Sequence, residues 1–358
     1  MRLSDWAALN TVVALAIVAL SQMASAQPVL LEHFGETADS LRLQMTPPTA
    51  DRPTPIHTSL TIVDVVGIDE IANTYMVEFD LTTRWQDARL AFDPADLGAP
   101  VVVYEGPTAN ARVDSLWAPY ATIMNAAGSY TAKTSFLRIS AEGEVRWTGR
   151  VAAEVKAPFD FRRFPFDRQQ LELILQLYGW DVRQAIMLDG GIGLRSGFEI
   201  PEWHVGGIEA SLTEAVEARG SVPFSQLVVR LDITRKRTFY IWKVFAPLIG
   251  IVALSWVVFW MSEDALGRRA GVSATAMLTI VAYQFFLSTS LPRVAYLTTM
   301  DVFTLLSFAL IIVSMVVNIL VTRDKMQKSG SGQRIDRLCR ISFPTIYFAG
   351  LASTYALR

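Results

Sequence analysis

The sequence is poor in the residues that form disulfides, metal centres and catalytic sites. Its 358 residues include one cysteine, Cys339, and three histidines, His33, His57 and His204. A single cysteine excludes an intramolecular disulfide and any metal or iron–sulfur site built from several cysteines. The histidines show no H-E-x-x-H or H-x-x-x-H spacing, and no nucleophile, base and acid fall at motif spacing. The sequence therefore predicts neither an enzyme nor a bound metal or cofactor.

Charge is also scarce and nearly balanced. Charged residues make up 18% of the chain, with 32 basic against 34 acidic residues and a net charge of -2. Soluble proteins average about 25% charged residues, and the balance predicts no basic surface for nucleic acid. Hydrophobic residues, at 51% of the chain, concentrate near the N-terminus and after residue 238. This distribution is typical of a membrane protein with one large soluble half.

The N-terminus has the pattern of a secretion signal. Arg2 precedes an apolar run from Trp6 to Leu20, and Ala24-Ser25-Ala26 forms a small-residue cleavage site. An uncleaved anchor helix is the alternative, but the apolar core is short for a membrane span of roughly 20 residues. We therefore expect residues 1–26 to be a signal peptide and the mature chain to begin outside the cytoplasm.

Residues 27–238 are predicted to form β structure. Short runs alternate apolar and polar residues between turn residues, which is typical of a β-sandwich. The segment Gly190-Gly191-Ile192-Gly193 is predicted to be a glycine-rich turn, and it lacks the G-K-[ST] of a phosphate-binding loop. The predicted strands are Ser59–Val66, Tyr75–Thr83, Ser135–Ile139, Val145–Val155, Leu171–Leu177 and Gln226–Ile233.

Apolar segments in residues 239–358 predict a helical domain within a lipid bilayer. Three segments have about the 20 residues that a bilayer core requires. The fourth is slightly shorter, but Arg337 and Arg340 beside it can reach the membrane interface. The segments are Phe239–Trp260, Ala270–Leu291, Val302–Thr322 and Ile341–Leu357.

The positive charges predict how these segments are oriented. Basic residues lie between the first and second segments and between the third and fourth, so we expect both connections in the cytoplasm. The N-terminal domain and the C-terminus are then outside the cytoplasm, in a multi-pass protein of the cell (inner) membrane. These basic residues are Arg268, Arg269, Arg323, Lys325, Lys328 and Arg334.

One face of the second segment differs in composition from the other segments. Its residues recur at spacings of three and four, with small and hydroxylated residues at one end and apolar residues beyond. The pattern is compatible with a helix packed inside a bundle. It is also compatible with a pore lining, which requires a ring of subunits. The face consists of Gly271, Thr275, Leu278, Ala282, Phe285 and Thr289.

Several spaced motifs carry a resemblance to a known family. In chain order they are Trp85-Gln86-Asp87-Ala88-Arg89-Leu90, Trp117-Ala118-Pro119, Phe164-Pro165-Phe166-Asp167, Leu291-Pro292-Arg293 and Phe343-Pro344. Together they resemble the bacterial members of the pentameric ligand-gated ion channels, the Cys-loop receptor superfamily. The two bridging cysteines of that superfamily would fall at Ala157 and Leu171, and both are absent, as in bacterial members.

The resemblance implies a fold and an assembly. The expected fold is an all-β extracellular sandwich, the immunoglobulin-like ligand-binding domain of the superfamily, followed by an α-helical four-transmembrane bundle. Each chain would join four identical subunits in a homopentamer. A small-molecule agonist bound between extracellular domains would open a pore lined by the second transmembrane helix. A membrane-anchored solute receptor that does not conduct ions is the alternative from a different class.

The resemblance also implies how agonist binding reaches the pore. Arg235 lies at the family's arginine just before the first transmembrane helix, and family members pair that arginine with the loop aspartate, here Asp167. Phe164, Pro165 and Phe166 belong to the same loop, and Pro292 follows the second helix. The alternative is that Asp167 only caps its own turn.

Arg268 and Arg269, at the start of the second helix, are the predicted ion-selectivity residues. The run Asp264–Gly271 has the length of the anion-selective members, in which glycine-receptor-like chains have D-A-A-P-A-R-V-G. A ring of positive charge favours anions, so we expect chloride selectivity. Glu263 and Asp264 precede the arginines, and a cation-selective channel of the same family is the alternative.

Agonist-site positions carried over from the family are Asp80, Met124, Gln176, Tyr178 and Phe224. The two aromatic residues suit an amine held by cation–π contacts, and Asp80 as the source of counter-charge is an alternative to those contacts. The alternative is that both aromatics only fill the sandwich. Proton gating is also open, although Ile280 stands where an acid-gated bacterial member has a histidine.

Overall fold

The computed structural model describes residues 42–216, 222–261, 266–290, 294–326 and 331–356. Predicted features outside these residues include the signal peptide 1–26, Glu263, Asp264, the motif Leu291-Pro292-Arg293 and Lys328. The side chain of Thr289 is also outside the described set.

Ten strands form two sheets packed face to face. The six-stranded sheet has the order β3-β5-β6-β2-β1-β8, and the four-stranded sheet has the order β4-β7-β10-β9. Every pairing is antiparallel except that of β1 with β8. The strands are β1 Thr54–Asp69, β2 Thr74–Gln86, β3 Val101–Glu105, β4 Ala121–Ile123, β5 Thr131–Ser140, β6 Glu144–Lys156, β7 Arg168–Leu177, β8 Ala185–Leu194, β9 Trp203–Val216 and β10 Pro223–Arg235. The predicted all-β sandwich is confirmed.

The core lies between the sheets because apolar residues alternate along the strands. On β2, Val77, Phe79 and Leu81 are buried, and the residues between them point away from the core. Side chains two residues apart on a strand share one face, so this pattern fixes which face packs inward. All six predicted strands lie within observed strands. Two short helices, α1 (Pro94–Leu97) and α2 (Pro107–Asp114), join strands of the sandwich.

The prediction of a turn at Gly190–Gly193 is wrong, because these residues form the end of β8. The pairing of β8 with β1 shifts register between Thr58 and Leu60. Gly191 has a φ of +106°, and a Cβ at Gly190 would lie 2.9 Å from the Thr58 carbonyl carbon. The glycines therefore allow a β-bulge within a strand and do not connect two strands.

Four longer helices follow the sandwich. They are α3 (Thr238–Trp260, with a π-turn at Ile241–Phe245), α4 (Leu266–Ser290), α5 (Thr299–Met326) and α6 (Ser331–Ala356). Among the described residues three spans are long and apolar enough to cross a membrane: Thr238–Trp260, Gly267–Leu287 and Thr299–Val321. Helix α6 is not among them. It begins at Ser331, ten residues before the predicted start at Ile341. The prediction was late because these first residues are mostly polar or charged, and an apolar segment cannot reveal them.

Side-chain hydrogen bonds and ring contacts hold the helices together. The Tyr283 hydroxyl of α4 donates to the Val244 carbonyl of α3 over 2.7 Å. The Ser307 hydroxyl of α5 lies 2.9 Å from the Tyr347 hydroxyl of α6, and the Tyr347 ring packs edge-on against Trp256 of α3. The four helices therefore form one bundle with α6 on its outside against α5.

Candidate functional site

The loop between β6 and β7 reaches the membrane-side end of the sandwich and contacts the helices. The Phe164 ring packs edge-on against Tyr240 at 5.0 Å, and the Phe166 ring stacks on Phe245 at 5.9 Å. The Phe161 amide also donates to the Tyr296 hydroxyl over 2.9 Å. The loop predicted to couple the two domains therefore lies against α3 and the segment before α5.

Arg235 and Asp167 form a buried bidentate ion pair at this junction. Arg235 Nε lies 2.8 Å from Asp167 Oδ1, and Nη2 lies 3.1 Å from Oδ2. The two side chains are 0% and 1% exposed. Asp167 also accepts a hydrogen bond from Gln169 Nε2 at 2.7 Å. Asp167 thus does more than cap its own turn, because it binds the last residue of β10.

The Arg235 guanidinium has further partners that the sequence did not reveal. Its Nη1 donates to Glu70 Oε1 at 2.6 Å and to the Tyr240 hydroxyl at 3.2 Å. The same group lies 4.2 Å from the Trp203 ring centre and 4.8 Å from that of Phe164, within cation–π range. Glu70, Trp203 and Tyr240 come from three distant chain segments with no shared motif, so only the fold identifies them.

Burial and charge act in opposite directions on the pKa values at this junction. Burial raises the pKa of Glu70 above its ordinary value of 4.5, and the nearby Arg235 only partly offsets that effect. Burial would lower the pKa of Arg235, but the hydrogen bonds and charges of Asp167 and Glu70 outweigh it and raise that pKa. Arg235 is therefore a fixed positive charge, whereas Glu70 holds a proton more readily than a solvated glutamate.

The junction links the sandwich directly to the start of the membrane helices. Arg235 ends β10, and α3 begins at Thr238. On the other side, the Arg162 carbonyl accepts hydrogen bonds from the Thr299 amide and hydroxyl, both over 3.0 Å. A displacement of the loop would therefore reach both α3 and α5.

Helix α4 has an open face and a buried face within the subunit. The predicted pore-lining residues Gly271, Thr275, Leu278, Ala282 and Phe285 are all exposed, Leu278 by 72% and Phe285 by 70%. The opposite face packs into the bundle and contains Ser273, Ala276, Ile280 and Leu287. The structure thus keeps these five predicted residues together on one surface.

Helix α4 is also the least buried of the three membrane-capable helices. The bundle covers 22% of its span, against 39% of the spans in α3 and α5. It is the least apolar of the three as well. A surface that faced only lipid would be the most apolar, so the open face of α4 suits water or a neighbouring subunit better than lipid.

The two arginines at the start of α4 have different surroundings. Arg268 is exposed, whereas Arg269 is 2% exposed and its Nη2 lies 3.1 Å from Asp336 Oδ2 of α6. Arg269 also donates to the Met261 carbonyl. Of the two predicted selectivity residues, only Arg268 therefore lies on an open surface. Sequence patterns could not separate two adjacent arginines before the buried face of the helix was known.

Four of the predicted agonist residues lie along the four-stranded sheet. The Tyr178 and Phe224 rings stack with centres 6.2 Å apart and planes 17° apart, and Tyr178 is 46% exposed. Gln176, two residues before Tyr178, is fully buried and accepts a hydrogen bond from Gln226 Nε2. Met124 follows β4, and its amide donates to the Ile174 carbonyl on β7. An exposed Tyr178 ring is therefore stacked on a partly buried Phe224 ring.

Asp80 lies on the other sheet and has a partner of its own. Arg150 on β6 binds it with two hydrogen bonds, Nε to Oδ1 at 2.7 Å and Nη2 to Oδ2 at 2.8 Å. Asp80 is therefore not the unpaired counter-charge that the sequence suggested for an amine. Arg150, which sequence patterns did not single out, is the additional charged group on this surface.

Known proteins match most of the chain. Residues 36–237 match the sequence profile of the neurotransmitter-gated ion-channel ligand binding domain, and residues 244–331 match that of the neurotransmitter-gated ion-channel transmembrane region. A proton-gated ion channel of Gloeobacter violaceus is 27% identical over 307 residues, which cover 84% of this chain and 82% of that protein.

Animal receptor subunits are also similar. The gamma-aminobutyric acid receptor subunit beta-4 of Gallus gallus is 26% identical over 310 residues, which cover 82% of this chain and 61% of that subunit. The subunit theta of Mus musculus is 23% identical over 281 residues, or 76% of this chain and 42% of that subunit. The chain therefore spans less than two thirds of these animal relatives.

The matched regions and the structure agree in order and kind. A β-sandwich with the junction loop at its end corresponds to the ligand-binding match, and the apolar helices after it correspond to the transmembrane match. Members of this family are ligand-gated channels rather than enzymes, and they assemble as pentamers with small-molecule agonists. The chain belongs to the neurotransmitter-gated ion-channel family, within the Cys-loop superfamily of pentameric ligand-gated ion channels.

Proposed function

We propose that this chain forms a homopentameric, chloride-selective channel in the cell inner membrane. An agonist bound between neighbouring sandwiches opens a pore lined by the exposed face of α4. The observation that carries this proposal is the exposed Arg268 at the N-terminal end of that face. The conducting alternative is a cation-selective channel, and the non-conducting alternative is an anchored solute receptor.

The pore assignment is supported by the composition of the exposed α4 face. Gly271 and Thr275 are small or hydroxylated and lie nearest Arg268, whereas Leu278 and Phe285 are large, apolar and exposed. Five copies of such a face place a polar narrow end next to apolar rings. Apolar rings close a water path by dewetting, and small polar residues admit an ion with part of its water.

The anion assignment is supported by electrostatics. A charge roughly 7 Å from an ion contributes about 0.6 to 2.4 kcal/mol at effective dielectric constants of 80 to 20. A ring of such charges from five subunits is sufficient to select the sign of the permeant ion. Arg268 supplies the positive sign, and the chain around it has the length found in anion-selective members.

The orientation is supported by the charge distribution. Residues 1–26 direct the chain across the membrane and are removed, residues 27–238 form the outer domain, and residues 239–358 form the membrane domain. Positive residues around the α3–α4 and α5–α6 connections support a cytoplasmic location for both connections. Arg268 then lies at the cytoplasmic mouth, and the C-terminus lies outside.

The agonist site is proposed at the stacked pair of exposed Tyr178 and partly buried Phe224, facing Asp80 and Arg150 of the next subunit. The aromatic faces suit a cationic or flat ligand, and the Asp80–Arg150 pair offers both charges to a zwitterion. Acid is the first stimulus to test, because a bacterial relative is proton-gated and Glu70 at the junction has a raised pKa.

The decisive experiment does not need the agonist. Leu278→Thr replaces the exposed apolar ring with hydroxyls and should produce a leak current. The purified variant is placed in bilayers under a KCl gradient, and we expect its reversal potential near the chloride equilibrium. Leu320→Thr is the matched control, because Leu320 is a similarly exposed leucine of α5 outside the proposed pore.

Each alternative gives a different result in the same measurement. A reversal near the potassium equilibrium would establish the cation channel and shift attention to Glu263 and Asp264. A Leu278→Thr protein that assembles but passes no ions would support the anchored receptor. If the chloride result is obtained, Arg268→Glu in the same background should move the reversal toward potassium.

A further inference from the structure

The ion pair between Arg269 and Asp336 makes the two arginines at the start of α4 unequal, because it buries the charge of Arg269 and leaves that of Arg268 exposed. Arg269 Nη2 lies 3.1 Å from Asp336 Oδ2, and the two side chains are 2% and 5% exposed. The residues are 67 positions apart and belong to α4 and α6. The outermost helix of the bundle therefore supplies the carboxylate for a residue at the base of the pore helix.

Helix geometry explains why adjacent arginines separate. Arg268 lies three residues before Gly271 and seven before Thr275, both of which are exposed, so it continues the open face of α4. Arg269 lies four residues before Ser273 and seven before Ala276, both of which are buried, so it continues the face that packs into the bundle. Residues three and four apart lie on the same side of a helix.

Neighbouring contacts hold Arg269 on the buried side. It donates to the Met261 carbonyl just beyond the end of α3. Close by, Arg340 of α6 donates from Nε to the Phe259 carbonyl over 2.9 Å and lies 5.9 Å from the Trp260 ring centre. The ends of α3, α4 and α6 are thus joined by arginine side chains. A guanidinium paired this way is held in one direction rather than turning freely.

We infer that Asp336 is a positioning residue for ion selectivity, because it holds Arg269 inside the bundle and leaves Arg268 as the charge that each subunit presents to the pore mouth. The mouth of a pentamer then carries five exposed arginines instead of ten. The inference rests on the proposed pore along α4, but not on whether that pore selects anions or cations.

The first test compares two neutralisations in the leaking Leu278→Thr background. Arg268→Gln should change the anion-to-cation permeability ratio by about tenfold or more, because it removes five charges at the mouth. The pair replacement Arg269→Met with Asp336→Leu removes a buried pair of zero net charge, and it should change the ratio by less than about twofold. A change as large as that of Arg268→Gln would overturn the inference.

The second test releases Arg269. Asp336→Asn removes the carboxylate, and the freed guanidinium should shift the permeability ratio toward anions by about twofold or more. Asp336→Glu keeps the charge and should restore the ratio of the parent protein. Assembled Asp336→Asn pentamers with an unchanged ratio would contradict the positioning role. If Asp336→Asn does not assemble, the pair replacement alone decides.

A third test needs no current and so separates this inference from the proposed function. In a Cys339→Ser background, Arg268→Cys in purified pentamers should react with a water-soluble methanethiosulfonate, and mass spectrometry should show the adduct. Arg269→Cys with Asp336→Asn should react at least about tenfold more slowly, because that position faces the bundle. Equal rates would overturn the inference even in a channel that never conducts.

Discussion

Two buried arginine–aspartate pairs lie at opposite ends of the membrane helices and differ in their surroundings. The junction pair, Arg235 with Asp167, shares its guanidinium with Glu70, Tyr240 and several aromatic rings. The mouth pair, Arg269 with Asp336, has one further described acceptor, the Met261 carbonyl. Both pairs join a guanidinium to a carboxylate, but Arg235 holds Asp167 through two nitrogens whereas Arg269 contacts Asp336 through Nη2, and the described groups around each arginine differ in number.

This difference shows what each pair contributes. Burial of a charge is costly, and partners in a low-dielectric interior only repay that cost when the geometry is good. Many groups converge on Arg235, so its removal would disturb the sandwich, the junction loop and α3 together. The described acceptors of Arg269 are Asp336 and the Met261 carbonyl, so we expect replacement of the mouth pair as a unit to disturb less of the molecule than replacement of the junction pair. We expect the junction pair to be needed for assembly and gating, and the mouth pair to direct charge.

The largest effect is expected from removing the junction cation. Arg235→Gln leaves buried Asp167 without its counter-charge and should destabilise the protein by about 3–5 kcal/mol. Thermal unfolding of purified pentamers, together with the yield of pentamer, measures this loss. Arg235→Lys is the control, because it keeps the charge but not the bidentate contact. Its melting temperature should lie between those of the parent and of Arg235→Gln. An Arg235→Gln protein with the melting temperature of the parent would contradict the role of Arg235.

Paired replacements test the comparison directly. Arg269→Met with Asp336→Leu should change stability by less than about 1 kcal/mol, because both buried charges leave together. Arg235→Met with Asp167→Leu should still cost about 2 kcal/mol or more, because Glu70 then loses its cation. Equal melting temperatures for the two double variants would show that the partners around Arg235 contribute nothing.

A smaller effect is expected from a single hydroxyl. Tyr240→Phe keeps the ring against Phe164 but removes the acceptor that lies 3.2 Å from Arg235 Nη1. The loss should be about 0.5–1.5 kcal/mol, the usual net value of one hydrogen bond. Tyr104→Phe, in β3 away from the junction, is a matched control, and it should melt within a degree or two of the parent protein.

The smallest effect is a change in pH dependence. The pKa of Glu70 is raised by burial above 4.5, so the folded protein binds this proton more tightly than the unfolded chain. The resulting stabilisation is complete below the unfolded pKa and disappears as pH rises through the raised folded pKa. Glu70→Gln lacks this contribution, so between pH 4 and pH 7 the parent should lose stability relative to the variant. A difference in melting temperature between the parent and the variant that stays constant across this pH range would contradict the prediction.

Sequence patterns predicted the strands whose burial alternates and missed those where it does not. Strand β2 alternates strictly, and its position was predicted. Strand β9 is exposed along most of its 14 residues, so it has no apolar face to detect. Strand β8 ends in glycines whose bulge resembles a turn in sequence. The first turns of α6 are polar, because they lie at the end of the bundle, and hydropathy alone places the helix start too late.

The candidate site was predictable where a motif marked it. The pairing of Arg235 with Asp167 followed from the family resemblance, although 68 residues separate them. Glu70 and Asp336 had no such marker, because an acidic residue in a loop or a polar helix turn is common. The exposure of Arg268 and the burial of Arg269 depend on which face of α4 packs inward. Two adjacent arginines in a sequence do not show which of them lies on that face.

The π-turn of α3, at Ile241–Phe245, is a position where this helix can change in length by one residue. A π-turn contains one residue more than the α-helical turn it replaces. Deletion of one residue there would restore an α-helix while Leu248 and Val252 keep their buried face. A deletion elsewhere in α3 would rotate all later residues by about 100°. A change of one residue at this turn would therefore leave the packing of the receptor domain and of the channel domain unchanged.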